Sequence, residues 1–264
     1  VLALGFRDAN LSANFDSIGI YFDLENMKKC VYFAAAFAVA GSLQSVFAGD
    51  ITGKVTLKGT PPPEVEIPYT DQCTPLNPTV KTTRFYLTGK DNGLANVFVY
   101  ISKGCEGKTF PTPTQAVELD QKACNYEPYI LGAMVNQTIK IKNSDPILHN
   151  VHAIPTTDGN SEFNLAQPTQ GQVDEKSFPK KEILVKFKCD VHQWMYAYVG
   201  VMDNPYFAVT DADGNFKISN VPPGNYTLTA YHLKTHKTNP GVTQDIKVED
   251  SPLTANFTVE IPAK

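Results

Sequence analysis

From Gly49 onward, apolar and polar residues alternate in short runs of period two, the spacing of strands that bury one face. Residues 51–57 form such a run and end at Gly59-Thr-Pro-Pro-Pro63, a strand and its stop. The next run covers 95–101. Six more follow at 116–119, 129–134, 138–141, 150–154, 182–187 and 196–201, each bounded by turn residues. The last portion alternates at 206–210, 215–219, 226–231, 243–248 and 254–261. Between Pro61 and Gly93 lies a polar, Pro-containing connection too long to be structureless, and one short strand is predicted at 83–87. Short strands at this spacing predict an all-β chain built as a sandwich or barrel.

The one helix-like stretch sits near the start. Met27-Lys28-Lys29 precedes an apolar run from Cys30 to Ala40, and small residues follow up to Ala48. A basic flank, an apolar run too short to span a bilayer and a small-residue cut site describe a secretory signal peptide over 27–48. Residues 1–26 precede Met27 and read as a stretch upstream of the true start, without assigned function. The mature product is expected in the periplasm or otherwise secreted, with no membrane span. With residues 1–48 removed, 20 basic and 23 acidic residues remain, a net charge of −3. Nucleic acid, which asks for a basic face, is an unsuitable partner. At 264 residues and 42% hydrophobic, the chain can bury one large core or two small ones.

Export makes cysteine pairing feasible for Cys73, Cys105, Cys124 and Cys189. Cys73 and Cys124 each follow a polar Asp-Gln segment that reads as a loop, which favours a bridge between them. Cys105 could replace either.

The strongest chemical signal is Lys188-Cys189-Asp-Val-His192-Gln-Trp-Met195, a thiolate, an imidazole and a thioether within seven residues at a strand end. His149, in Leu148-His149-Asn150-Val151-His152, supplies a second imidazole. Two His nitrogens and one Cys sulfur, with a weak Met, suit one mononuclear copper in both oxidation states. Zinc sites rarely recruit Met. His152 reads as a structural neighbour, and His232 and His236 as solvated surface residues. Trp194 could serve an electron path, a docking patch or loop packing, and Tyr196 and Tyr198 alternate as sheet-packing residues. No G-x-S-x-G, H-E-x-x-H or Gly-rich phosphate loop is present, so no enzymatic activity is expected.

The H-N-V stretch with C-x2-H-x2-M resembles the cupredoxins, particularly the amicyanin and plastocyanin group. The resemblance implies a Greek-key β-sandwich over 111–203, with His149, Cys189 and His192 as equatorial ligands and Met195 as the axial one. It also implies that Asn150 ties the two ligand segments together. Asp211-Ala-Asp-Gly-Asn-Phe216 and Pro222-Pro-Gly-Asn-Tyr-Thr-Leu-Thr-Ala-Tyr231 resemble a second family, the carboxypeptidase regulatory-like (prealbumin-like) domain. Its opening strands would be Gly53-Lys-Val55 and the run from Ala95 to Val99. Residues 49–110 and 204–264 are therefore expected to form one small sandwich, interrupted by the copper module. The implied function is single-electron transfer with a redox protein such as a cytochrome or a dehydrogenase, His192 exposing its ring edge as the exit. The alternatives are a copper carrier or sensor and a structural sandwich protein of the envelope.

Overall fold

The computed structural model describes residues 48–79, 81–234 and 241–261. The segment 1–26, the stretch up to residue 47 that is expected to be a signal peptide, and His236 lie outside the described residues. The chain opens with β1 (Gly49–Lys58) and, after a long connection, β2 (Phe98–Lys103). A closely spaced series follows: β3 (Val117–Lys122), β4 (Asn125–Glu127), β5 (Ile130–Met134), β6 (Ile139–Asn143), β7 (His149–Ile154), β8 (Phe163–Gln167), β9 (Val173–Lys176), β10 (Glu182–Lys188) and β11 (Tyr196–Met202). The last group is β12 (Phe207–Val209), β13 (Asn215–Val221), β14 (Gly224–Tyr231), β15 (Val242–Val248), β16 (Leu253–Thr254) and β17 (Phe257–Glu260). The molecule is all-β, as its alternating pattern predicts.

Strand β1 pairs antiparallel with β13 along one edge and parallel with β16 and then β17 along the other. A second sheet, in the order β12-β2-β14-β15, shares a core with it. Ile51, Val55, Val99, Ile101, Leu228 and Phe257 meet there, from both ends of the described chain. The middle of the chain forms two further sheets, β5-β11-β10-β7-β8 and β4-β3-β6-β9. Their core holds Leu119, Tyr126, Ile141, Val151, Phe187 and Val199 together with Cys189 and Met195. Tyr69, Cys73 and Leu76 reach this same core from the long connection that follows β1.

Strands β4, β8 and β9 escape the sequence pattern; each is an edge strand with a single neighbour and at most one buried residue. Val173-Asp-Glu-Lys176 shows the consequence: an edge strand needs ladder bonds on one side only and can be polar on both faces. At 83–87 the reverse holds, since no strand forms where one is predicted. The Glu64 carboxylate accepts the backbone N–H groups of Phe85 (2.9 Å) and Tyr86 (2.5 Å), so a side chain replaces the neighbouring strand.

Where the two pairs of sheets meet, Phe98, Tyr100, Tyr129, Ile130, Leu184 and Met202 make a third apolar cluster. Gly132 and Gly200 lie opposite each other on β5 and β11. A Cβ at Gly132 would stand 2.4 Å from the Phe207 ring, and one at Gly200 2.4 Å from the Phe98 ring. The two rings stack at 5.8 Å, so the paired glycines form a notch that receives them. Strand β10 carries an extra residue in the register between Glu182 and Val185, and Leu184 adopts a positive φ of 63°. The bulge turns Leu184 into the third cluster while Val185 stays in the core that contains Cys189. Gly200→Val is expected to lower stability by about 2 kcal/mol or more through overpacking against Phe98, measured by denaturant unfolding.

Glu182 is buried at the start of β10 and accepts the N–H of Thr156 (2.6 Å), the N–H of Thr157 (3.2 Å) and the Asn160 amide (2.9 Å). Burial raises its pKa, but these bonds, led by Asn160 and Thr156, outweigh that effect and hold it below the usual 4.5. A carboxyl group lowered in the folded state adds stability above its unfolded pKa and loses it as pH falls through the folded value. Glu182→Gln should therefore destabilise the protein at neutral pH and flatten the decline of stability below pH about 4.5. Unfolding midpoints at a series of pH values check this.

Candidate metal centre

Strands β7 and β10 are antiparallel neighbours, and Lys188 pairs with His152. That register leaves His149, at the start of β7, beside Cys189, which directly follows β10. The loop from Cys189 to Met195 then turns into β11. It is closed internally, since Cys189 N–H donates to the Met195 carbonyl (3.0 Å) and Met195 N–H to that of His192 (2.8 Å). His192 is thereby brought under the sheet end that carries His149.

The Nδ1 atoms of His149 and His192 stand 3.0 Å apart, and the Cys189 sulfur is 4.0 and 3.8 Å from them. Donors bound at roughly 2.0–2.3 Å to one ion sit about 3–4 Å from one another, so the spacing fits a single metal ion shared by all three. All three side chains are buried, His149 fully and His192 at 2% exposure. Met195 is fully buried in the same core. Burial raises the Cys189 pKa, yet hydrogen bonds from His149, His192 and the backbone bring it down to about 6. The thiolate that a metal requires is thus favoured.

Asn150 joins the two ligand segments through one oxygen. Its Oδ1 accepts the N–H of Asp190 (2.7 Å) and Val191 (3.3 Å) and the Cys189 thiol (3.3 Å). Tyr126 reinforces this tie from below, its hydroxyl donating to the carbonyls of Asn150 (3.0 Å) and Lys188 (3.3 Å). On the other side, the Asp145 carboxylate lies 2.9 Å from His149 Nε2 and also accepts the N–H groups of Ala123 and Cys124, each at 2.7 Å. A proton held on Nε2 leaves the Nδ1 lone pair for a metal. Burial pulls the His149 pKa down, but Asp145 and Cys189 override it and raise it. For Asp145, burial acts upward and the His149 contact with the two N–H groups prevails, so its pKa is lowered.

Cys73 and Cys124 form a disulfide. Their sulfurs and a ring nitrogen of His192 all lie within 4.8 Å of one another. This corrects one expectation: the His192 ring edge is covered, not exposed. The segment that bears Tyr69, Cys73 and the short 3-10 turn Thr74–Leu76 packs over it, because the bridge fastens that segment to the β3–β4 turn. Trp194, half-buried, stands 5.3 Å from the His192 ring and donates its Nε1–H to the Cys124 carbonyl (3.0 Å). Cys105 is a free thiol in the other sandwich.

His152 points away from the donors. Its ring sits between Asp190 Oδ2 (2.9 Å) and Glu162 Oε1 (2.7 Å), a cluster completed by Asn164 and by Lys188, 2.6 Å from Asp190 Oδ1. The Lys188 contact, followed by His152 and Asn164, drives the Asp190 pKa far down. His232 is buried, at 2% exposure, and not the solvated residue expected from sequence; the Tyr86 ring, on the long connection before β2, packs against it at 5.4 Å. Tyr196 and Tyr198 pack with Tyr129 in the third cluster. Asp145, Tyr126 and Tyr69 were missed by sequence reasoning. Only Asp145 left a trace, as a carboxylate four residues before His149.

Residues 180–254 match the family model described as polysaccharide lyase family 4, domain II, a different sandwich family from the regulatory-like domain that the sequence resembles. No curated protein matches the chain. Similar solved structures include a nitrite reductase, a cupredoxin and amicyanin variants. A copper-containing nitrite reductase (NirK) from Thermus scotoductus SA-01 is 19% identical, with a TM-score of 0.31, over 37% of this chain and 24% of the reductase. The chain thus spans about a quarter of that protein. A purple cupredoxin from Nitrosopumilus maritimus is 23% identical, with a TM-score of 0.27, over 32% of this chain and 98% of its own. An oxidised amicyanin variant is 20% identical, with a TM-score of 0.30, over 39% and 97%. These overlaps are partial, and the metal chemistry stands on the side chains themselves.

Replacing Asn150 by Ala should weaken Cu(II) binding by about 10- to 100-fold, because the N–H groups of Asp190 and Val191 lose the acceptor that holds the loop after Cys189 in place. Competition against a chelator measures it.

Proposed function

We propose that the chain binds one copper ion through His149, Cys189 and His192, with Met195 as a weak fourth ligand, and carries single electrons between redox proteins. The observation that carries the reading is the convergence of one buried thiol and two buried imidazoles, held by Asn150, Tyr126 and Asp145. One thiolate, two imidazoles and a nearby thioether are the set that serves Cu(I) and Cu(II) alike. When bound, copper would supply a reversible one-electron couple.

The protein's own part is to keep the donors still. Asn150 fixes the sulfur, Asp145 fixes one imidazole, and the closed 189–195 loop fixes the other. Donors that need not move when an electron arrives keep the cost of the transfer low. With all three donors buried, a substrate has no open approach to the ion, which favours electron transfer over catalysis. The same burial disfavours a carrier that must surrender its metal. The Cys73–Cys124 bridge supports a periplasmic or other exported setting. The domain division is part of the reading: residues 111–203 are the copper module, set into a sandwich made by 49–110 and 204–264. The pairing of β1 with β13, β16 and β17, and of β2 with β12 and β14, supports it.

Adding Cu(II) to the mature protein should produce an intense visible thiolate-to-copper absorption band, abolished in Cys189→Ser. A wild-type protein that binds Cu(II) without that band, or does not bind it, overturns the proposal.

A further inference from the structure

We infer that the electron leaves through Trp194 and Tyr69 into a basic groove that receives an acidic face of the redox partner; this rests on the copper-carrier reading. The covered His192 edge forces the question of an exit. His192 is 2% exposed, so a partner cannot touch its ring. Trp194 and Tyr69 lead outward from it: the His192 and Trp194 rings are 5.3 Å apart, and those of Trp194 and Tyr69 are 5.4 Å apart, edge to face. Both outer rings are pinned. Trp194 is bonded to the Cys124 carbonyl, and the Tyr69 hydroxyl accepts the Asn125 amide at 2.8 Å.

Asn125 is also a wall of a surface groove of about 360 Å³, lined in addition by Lys81, Arg84, Lys122 and Glu127. Three cations stand there against one carboxylate, which is engaged by Arg84 at 2.9 Å. Arg84 is set in place by the Tyr126 carbonyl (3.0 Å) and by the Tyr129 ring, 4.5 Å from its guanidinium carbon. Lys81 and Lys122 are exposed. The whole chain carries a net charge of −4, so this groove opposes the field of the rest of the molecule. A local patch of one sign guides partners of the other sign and raises their encounter rate. The end of the aromatic path and the basic groove share one residue, Asn125. The transfer moves one electron from the reduced centre to an oxidised acceptor, with no proton transferred and no bond made or broken.

The test uses two anionic probes. Redox-inert hexacyanochromate(III), a paramagnetic trianion, should broaden backbone amide signals around Lys122–Asn125, with or without copper. Stopped-flow oxidation of the reduced copper protein by ferricyanide should slow as salt is added, whereas a uniformly negative body would give the opposite sign. The double variant Lys81→Glu/Lys122→Glu should slow that oxidation by about tenfold or more. It should spare oxidation by cationic tris(phenanthroline)cobalt(III) and leave the visible band unchanged. Tyr69→Leu should also slow the ferricyanide reaction with the band intact, and Tyr69→Phe, which keeps the ring, should restore it. Broadening elsewhere, a rate that rises with salt, or a Tyr69→Leu protein as fast as the wild type overturns the inference. If the wild type shows no thiolate-to-copper band, the copper reading fails and the electron route with it, while the chromium probe still decides the anion-facing surface.

Discussion

The oxygen of the Asn150 side chain holds the candidate centre together, because it is the shared acceptor for three donors on the 189–195 loop, the Cys189 thiol and the N–H groups of Asp190 and Val191. Strand β7 contributes His149 and Asn150 in succession, so the residue that offers a ligand and the residue that anchors the opposite ligands lie on one rigid strand. The position of the Cys189 sulfur relative to His149 then depends on a sheet register and one carboxamide, not on loop flexibility. Tyr126 adds a second clamp at the same level. These groups are buried, and a hydrogen bond lost there leaves an unsatisfied partner that costs about 1–3 kcal/mol, which makes the arrangement close to all-or-none.

The sheet that positions the donors is gripped from both sides. Its inner face shares a core with β3 and β6, and its outer face takes the Phe98 and Phe207 rings into the Gly132/Gly200 notch. Strand β11 begins where the ligand loop ends and contains Gly200. A change in how the two sandwiches meet is therefore felt along the strand that closes the loop. The bulge at Leu184 plays the matching part on β10, feeding one side chain to each apolar cluster before the strand reaches Cys189.

Much of this was legible in the sequence, and the exceptions have physical causes. Strands with an apolar face, such as β7, β10 and β14, announce themselves by alternation, and His149, Cys189 and His192 by residue type and spacing. An edge strand without a buried face, such as β9, does not, because one row of ladder bonds places little demand on side chains. Nor does the cover over His192. Tyr69 reaches Trp194, and Asp145 reaches His149, through contacts that link segments far apart in the chain or through a bend before β7, and such contacts leave no periodic signature. His232 escapes because a ring that covers it, Tyr86, comes from a distant part of the chain.

The Cys73–Cys124 bridge does more than fasten a segment. The Cys73 and Cys124 sulfurs stand beside a ring nitrogen of His192, and as free thiolates they would compete for that imidazole as donors to a soft ion. Joining the two sulfurs to each other removes them as donors and leaves His192 to the set with His149 and Cys189. Oxidation of these two thiols therefore also decides which donors the imidazole can share an ion with.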